Sequence, residues 1–291
     1  MSTLPADLLR LGCPMWGLKS WVGELFAPGT PTTAFLKTYS TVFNTVEGNT
    51  TFYGIPSEDT VKRWRDDADP GFRFALKFPQ KVSHERGLVG AEGDTEFFLN
   101  RMEILGPLLG PFFLQLPAHW GPARLRALEH WLKFCPPAFS YAVEVRHRAF
   151  FDGGPAHRDL DQLLAAHGVD RVIMDTTPLF SAAPDDEITQ IAQGKKPQVP
   201  RLDVALGKHP FVRYIAHPNL EANRGPLEFW AQKVAQWLDE GRAPYFFAHH
   251  PDDFYAPRIA RHFRRRLMRH HPLPDPLPWP AEKAADQLSL L

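Results

Sequence analysis

Charged and amide side chains end a series of short apolar runs in this sequence, where a buried strand would ordinarily avoid them. These residues are Glu47, Asn49, Lys77, Gln115, Glu144, Arg146, Asp175, Arg213 and His249. Carboxylates can exchange protons, lysine can act as a base or form an imine, and arginine binds carboxylates and phosphates through paired hydrogen bonds. The residue types therefore predict acid/base chemistry on a small anionic or phosphorylated compound.

Eight apolar runs recur along the 291 residues, and helix-like segments separate most of them. The predicted strands are Leu9–Cys13, Val42–Glu47, Phe72–Lys77, Phe112–Leu116, Tyr141–Arg146, Arg171–Asp175, Phe211–Ile215 and Tyr245–His249. Apolar strands that alternate with helices are typical of a covered parallel sheet, and eight such units favour a single closed (β/α)8 barrel, a TIM barrel. An open doubly wound sheet is the alternative, but its usual glycine-rich phosphate loop does not follow the first strand.

A barrel would bring the polar residues together, because the carboxyl ends of its strands form one mouth, where barrel enzymes hold their active sites. The predicted catalytic residues are Glu47, Lys77, Glu144 and Asp175. The predicted substrate-binding residues are Trp16, Asn49, Tyr53, His84, Gln115, Arg146, Arg213 and His249. In the alternative interpretation, three acids and three cations only neutralise one another and form a structural ion-pair cluster.

A divalent metal is a weaker alternative for the same mouth. Glu144, Asp175, His217 and His249 end successive strands and offer hard oxygen and nitrogen ligands. No H-E-x-x-H spacing or comparable motif supports such a site, and three cations converge on the same place. We therefore predict no metal and no other cofactor.

Four segments together resemble a known family. They are Tyr39–Tyr53, Phe72–Gln80 with Ser83 and His84, Gly110–Pro117, and Val143–His147. In combination they are similar to the YecE-like family, domain of unknown function 72, over about Leu11 to Arg264. The resemblance implies a cytoplasmic TIM barrel without an established reaction.

The composition limits the classes of partner. The 33 basic and 33 acidic residues give a formal net charge of zero, which excludes a basic coat over the whole surface and a long acidic tail. Cys13 and Cys135 are the only cysteines and are far apart, which argues against a disulfide framework or a cysteine zinc site. No apolar run is long enough to span a membrane. We expect a cytoplasmic protein with no membrane attachment.

The C-terminal end differs from the rest of the chain. We predict a barrel domain over residues 1–271, with a long irregular loop at 176–208, and a projecting proline-rich tail over residues 272–291. The arginine-rich segment 258–269 is a candidate nucleic-acid surface, although the solvated face of a last helix is the simpler interpretation.

The last five residues resemble the pentapeptide by which bacterial replication and repair proteins bind the DNA sliding clamp. The candidate contact residues are Gln287, Leu288, Leu290 and Leu291. The leading hypothesis is thus an enzyme that acts on a small anion. The alternative is a protein of DNA replication or repair held at the clamp, as either a metal-dependent nuclease-like barrel or a non-catalytic binding module.

Overall fold

The structure, a computed structural model, describes residues 8–275 and 278–289. In these ranges eight parallel strands form one sheet in the order β1-β8-β7-β6-β5-β4-β3-β2. The strands are β1 (Arg10–Gly12), β2 (Thr45–Gly48), β3 (Arg73–Lys77), β4 (Leu109–Gln115), β5 (Tyr141–Glu144), β6 (Asp170–Asp175), β7 (Phe211–Ile215) and β8 (Tyr245–His249). The predicted (β/α)8 barrel is confirmed.

The first two strands lie side by side where the barrel closes. The Glu47 backbone N–H donates to the Cys13 carbonyl at 3.0 Å, and the Asn44 side chain exchanges two hydrogen bonds with the backbone beside and within β1. Gly12 is required at this contact, because a Cβ there would lie only 2.1 Å from the Thr45 carbonyl oxygen. The absent side chain lets the two backbones approach closely enough to complete the ring.

Helices cover the outside of the sheet. They are α1 (Phe35–Ser40), α2 (Thr50–Tyr53), α3 (Glu58–Asp67), α4 (Glu92–Met102), α5 (Leu125–Phe134), α6 (Pro155–Ala166), α7 (Thr177–Phe180), α8 (Glu187–Lys195), α9 (Arg224–Asp239), α10 (Ala256–Leu267) and α11 (Pro280–Ser289). Ser57 caps α3 by accepting a hydrogen bond from the Thr60 N–H. No helix in the described ranges is both long and apolar enough to cross a membrane.

Segment 176–208 is not wholly irregular, because α7 and α8 lie within it. Asp186 caps α8 by accepting from the Thr189 N–H at 2.8 Å, and the Thr189 hydroxyl donates to the same carboxylate. Polar and proline residues around these two short helices mask the helical pattern in the sequence.

The barrel interior is apolar below its mouth. Its buried cluster consists of Ala75, Phe113, Ala142, Val172, Phe211, Tyr245 and Phe247. Five of these residues are followed, two positions later in the same strand, by a polar residue of the mouth. These polar residues are Lys77, Gln115, Glu144, Arg213 and His249. Alternate residues of a strand share a face, so the strands that bury apolar side chains inside also deliver these polar groups to the mouth.

The tail does not leave the barrel directly after the last barrel helix. Trp279 is buried against the core, and the Arg261 guanidinium of α10 stacks 3.5 Å from its ring centre. Arg261 also donates to both carboxylate oxygens of Glu282, at 2.6 and 3.0 Å. The tail is therefore anchored as far as Glu282. Of the predicted clamp contacts, Gln287 and Leu288 lie in α11, and Leu290 and Leu291 lie outside the described residues.

Acidic residues from other elements pair with several arginines of the 258–269 segment. Arg258 pairs with Glu24, Arg261 with Glu282, and Arg269 with Glu228. These acids lie outside the segment in the sequence. The sequence of the segment alone therefore overstates the net positive charge of this surface in the folded protein. A nucleic acid bound here would have to compete with these ion pairs.

Candidate active site

A cavity of about 630 Å³ opens at the carboxyl ends of the strands. It is lined by Pro14, Met15, Asn49, Phe52, Tyr53, Lys77, Gln80, His84, Gln115, Arg146, Lys195, Lys196, Arg213, His249 and Asp253. All the predicted substrate-binding residues except Trp16 are in this lining. Among the predicted catalytic residues Lys77 lines the cavity, while Glu47 and Glu144 bind lining residues without lining it themselves.

Arg213 is the centre of the polar cluster. Its guanidinium donates to the two carboxylate oxygens of Glu47 at 2.8 and 2.7 Å and to Glu144 Oε2 at 2.5 Å. Burial alone would raise the pKa of both carboxyl groups, but Arg213 and the other nearby charges and hydrogen bonds together outweigh it, holding the pKa of Glu47 well below its usual range and that of Glu144 at about 2. Both carboxylates are ionised at neutral pH and hold Arg213 in place.

Two further groups complete the hydrogen bonding of Glu47. Asn49 Nδ2 donates to Glu47 Oε1 at 2.8 Å, and His249 Nε2 lies 3.0 Å from Glu47 Oε2. Burial lowers the pKa of His249 to about 4 even though Glu47 opposes the shift. His249 is therefore a neutral imidazole that donates its Nε2–H to Glu47.

The second branch of the cluster runs from Glu144 to Lys77. Glu144 Oε1 accepts from Arg146 Nε at 2.7 Å, and Arg146 Nη2 donates to Gln115 Oε1 at 2.9 Å. Lys77 Nζ donates to the same Gln115 oxygen at 2.8 Å and lies 3.8 Å from the centre of the Phe52 ring. In the described part of the chain no carboxylate oxygen lies within 4.0 Å of Lys77 Nζ.

The pKa of the Lys77 amine lies close to neutral pH. Burial is the main cause that lowers its pKa to about 7, and the nearby Arg213 and Arg146 lower it further, against the opposing effects of Glu144 and Glu47. Loss of water and the presence of other cations destabilise an ammonium group relative to the neutral amine, which lowers its pKa. This amine can therefore take up or release a proton near neutral pH.

Asp175 does not belong to the mouth, and its predicted position is wrong. Its carboxylate accepts from Trp230 Nε1 at 2.7 Å and from the Thr177 N–H at 3.0 Å, and Trp230 lies in α9 outside the barrel. In β6 it is Val172 that joins the interior cluster, so Asp175, an odd number of positions later, faces the helices. The two-residue alternation of the strand could have shown this from the sequence.

The charges at the mouth are consequently unbalanced. The two carboxylates, Glu47 and Glu144, face three cations, Lys77, Arg146 and Arg213, when Lys77 is protonated. This leaves one positive charge in excess.

Two lysines from the segment between β6 and β7 were not predicted and add to this excess. Lys195 and Lys196 line the cavity, and the lining contains a single further acid, Asp253. Burial and the nearby Arg213 lower the pKa of Lys196 to about 8. The Lys-Lys pair is visible in the sequence, but nothing local indicates that its segment folds over the mouth.

Two aromatic residues have positions other than those expected. Trp16 packs edge-on against Trp64 and Phe74, with ring centres 5.2 and 6.0 Å apart, and is not part of the cavity lining. Phe52, which is not among the predicted site residues, lies beside Lys77 and His84 at the cavity. Tyr53 lies at the rim and is mostly exposed.

The four ligands considered for a metal are not assembled. Asp175 faces α9, and His217 Nδ1 accepts from the Asn219 backbone. Within the described ranges no three histidine, cysteine, aspartate or glutamate side chains are grouped so as to hold a metal ion. The mouth is instead a site with excess positive charge, suited to an anion.

The chain is similar to known proteins in both sequence and fold. The family model described as "Protein of unknown function DUF72" matches residues 10–282. The UPF0759 protein YecE of Escherichia coli K12 is 39% identical over 252 residues, which cover 87% of this chain and 90% of the relative, and the same protein of strain O157:H7 matches equally.

Two crystal structures share the fold at low sequence identity. A DUF72 family protein from Enterococcus faecalis V583 has a TM-score of 0.67 at 18% identity, over 93% of this chain and 98% of its own. A second, from Thermotoga maritima MSB8, has a TM-score of 0.67 at 20% identity, over 89% and 98%.

Proposed function

The chain belongs to the DUF72 family, and we propose that it is an enzyme that binds a small anionic substrate in the mouth of the barrel and transfers protons there. One observation carries this proposal. The cavity is lined by more cations than the carboxylates can neutralise, and one of these cations, Lys77, has no carboxylate partner in the described part of the chain. Excess positive charge at the base of a concave, partly desolvated site attracts anions.

Arg146 and Lys77 are the groups that we assign to the anion. Arg146 uses Nε and Nη2 on Glu144 and Gln115, which leaves its Nη1 without a hydrogen bond in the described structure. Lys77 Nζ has one hydrogen-bond acceptor, Gln115, and can donate two further hydrogen bonds when protonated. All three guanidinium nitrogens of Arg213 donate to its two carboxylates, so Arg213 acts as a positioning residue.

Proton transfer is best assigned to Lys77, with His84 as a second candidate. Glu47 and Glu144 were predicted as acid/base groups, but carboxylates held so strongly in their ionised form are weak bases and poor acids. The lowered pKa of Lys77, about 7, matches neutral pH. His84 lines the same cavity, with Nδ1 at 2.8 Å from Ser83 Oγ and no partner for Nε2 in the described structure.

The interpretation as a structural ion-pair cluster applies to one part of the mouth only. Glu47, Arg213 and Glu144 are almost completely buried and satisfy one another, which is what a structural cluster requires. Lys77 and Arg146 lie at the cavity side of that cluster and have bonding capacity left over. A buried support with a partly unsatisfied outer layer is the arrangement expected of a binding site.

A calorimetric screen of the purified full-length protein tests the proposal. The panel contains sulfate, phosphosugars, small carboxylates, the corresponding neutral sugars and alcohols, and short single-stranded DNA. We expect at least one small anion to bind with a dissociation constant of about 1 mM or lower, and its neutral analogue not to bind. No anion binding, or equal binding of neutral analogues, would contradict the proposal.

A second proposal concerns the C-terminal tail and rests on the pentapeptide at 287–291. We propose that it binds the DNA sliding clamp through apolar contacts of its leucines, with a dissociation constant in the micromolar range because few groups are buried. Full-length protein should bind purified clamp in a calorimeter, and a variant that lacks residues 287–291 should not. Equal binding by both proteins, or none by either at tens of micromolar, would overturn this proposal.

A further inference from the structure

The surroundings of Lys77 differ from those of a lysine that only balances charge. Its side chain is 7% exposed, yet it lines the cavity. Its hydrogen-bond acceptor is a neutral amide oxygen, that of Gln115, which also accepts from Arg146. The ring of Phe52 covers another side of the nitrogen. The amine is thus accessible to a ligand and held in one place by groups that take no proton from it.

Such an environment favours the neutral amine, which is the nucleophilic form. Arg146 and Arg213 repel a positive charge on Nζ, and burial removes the water that would stabilise it. Lysines desolvated beside other cations are the ones that react with carbonyl groups in proteins.

We propose that Lys77 is a nucleophile that forms an imine with the carbonyl group of a small aldehyde or ketone that also carries a phosphate or carboxylate. This inference rests on the proposed function, because the excess positive charge at the mouth is what would hold the anionic group. It adds the substrate class, a carbonyl compound, and the covalent step.

The step is balanced without any oxidant or reductant. The lone pair of neutral Nζ attacks the carbonyl carbon, and a proton moves from nitrogen to the former carbonyl oxygen to give a carbinolamine. That hydroxyl takes up one further proton and leaves as water, so the product is a protonated imine. The positive charge on nitrogen then lies where the ammonium lay, beside the Phe52 ring, and its N–H can donate to Gln115 Oε1.

His84 is placed to exchange the protons of this step. It lines the cavity and contacts Phe52, with ring centres 5.0 Å apart, on the same ring that Lys77 covers. Its Nδ1 is engaged by Ser83, so Nε2 is the free position. Burial and then the nearby Lys77 lower the pKa of His84, which keeps a neutral ring able to accept a proton.

Reductive trapping tests the imine. Full-length protein is incubated at pH 7.5 with glyceraldehyde 3-phosphate or pyruvate and cyanoborohydride, and labelled lysines are found by peptide mass mapping. We expect Lys77 to be labelled at least about tenfold faster than exposed lysines such as Lys37, because burial beside other cations makes the Lys77 amine neutral far more often than an ordinary lysine is at this pH. Sulfate should slow labelling at Lys77 but not at Lys37.

Two variants complete the test. Lys77→Arg keeps the charge but not the nucleophilic amine, so it should abolish the fast label, whereas Lys37→Arg should react like the wild type. Labelling of Lys77 no faster than of Lys37 with either carbonyl compound would overturn the imine inference. If calorimetry still shows anion binding in that case, the proposed function stands and only the inference fails. If no anion binds either, both fail.

Discussion

At the scale of single residues, Lys77 differs from the two arginines of the mouth in the group that it binds. Arg213 binds two carboxylates and Arg146 binds one, whereas Lys77 binds an amide oxygen. Its charge is therefore available to a ligand, and its proton is loosely held. The affinity of the mouth for anions should depend on the protonation of this one amine.

Anion affinity should consequently fall as the pH rises through about 7, the pKa of Lys77, because the ammonium form holds the anion more strongly than the neutral form does. Sulfate is a suitable probe because its own charge is constant from pH 6 to pH 8.5. Calorimetric titrations at pH 6, 7 and 8.5 should show this fall in the wild type. In Lys77→Met the step near pH 7 should disappear, leaving weaker binding with only the shallower decline due to Lys196. A flat wild-type profile would contradict the assignment.

Arg213 should matter to stability far more than an exposed arginine does. Arg213→Met leaves Glu47 and Glu144 buried without their cation, which should lower the unfolding free energy by about 3–5 kcal/mol. The control is Arg224→Met, which breaks an exposed pair with Glu221 and should cost less than about 1 kcal/mol. Urea denaturation of both variants measures the difference, and similar losses would show that the buried cluster is not a structural support.

At the scale of secondary-structure elements, strand alternation decides which end residues reach the mouth. Glu144 and Arg213 follow interior residues by two positions, and both were correctly expected there. Asp175 follows interior Val172 by three, so the same rule places it among the helices. This part of the site was predictable from the sequence.

Other parts of the site were not predictable, because they depend on contacts between distant segments. The sequence gives no reason for Lys195 and Lys196 to fold over the mouth, or for the Trp16 ring to pack against Trp64 instead of a ligand. The exact partner of Lys77 was also undetermined, since Gln115 and the carboxylates were equally available to it in sequence terms. Side-chain pairing of this kind is set by packing, which no local pattern encodes.

The proline-rich tail is predicted to project from the barrel, and the anchoring of Trp279 changes that expectation. Trp279→Ala should lower the unfolding free energy by about 1–3 kcal/mol, less than for a tryptophan deep in the core because the tail can detach. Deletion of residues 287–291 keeps Trp279 and Glu282 with their Arg261 contacts and should leave stability within about 0.5 kcal/mol of the wild type. If the Trp279→Ala variant gave the same denaturation curve as the 287–291 deletion variant, the tail would not be anchored.

At the scale of the whole molecule, a protein with no net charge concentrates positive charge at one end of its barrel. The apolar interior below the mouth provides a rigid base, and the buried Glu47, Arg213 and Glu144 cluster fixes the groups above it. The loop segment that contains α8 supplies two further lysines at the cavity. The mouth is thus divided into a buried support and charged groups that face the cavity. Sulfate affinity and unfolding free energy, measured together, test this division.

The most direct test measures sulfate affinity and unfolding free energy on the same Lys77→Met protein at pH 6. Because the folded pKa of Lys77 lies below its unfolded value, the ammonium destabilises the folded state at this pH, and that penalty is relieved as the pH rises above about 7. The variant should therefore be no less stable than the wild type. It should also bind sulfate at least about tenfold more weakly. Lys37→Met should be unchanged in both respects. Unchanged sulfate affinity together with a clear loss of stability would contradict the account and show that Lys77 is part of a structural cluster.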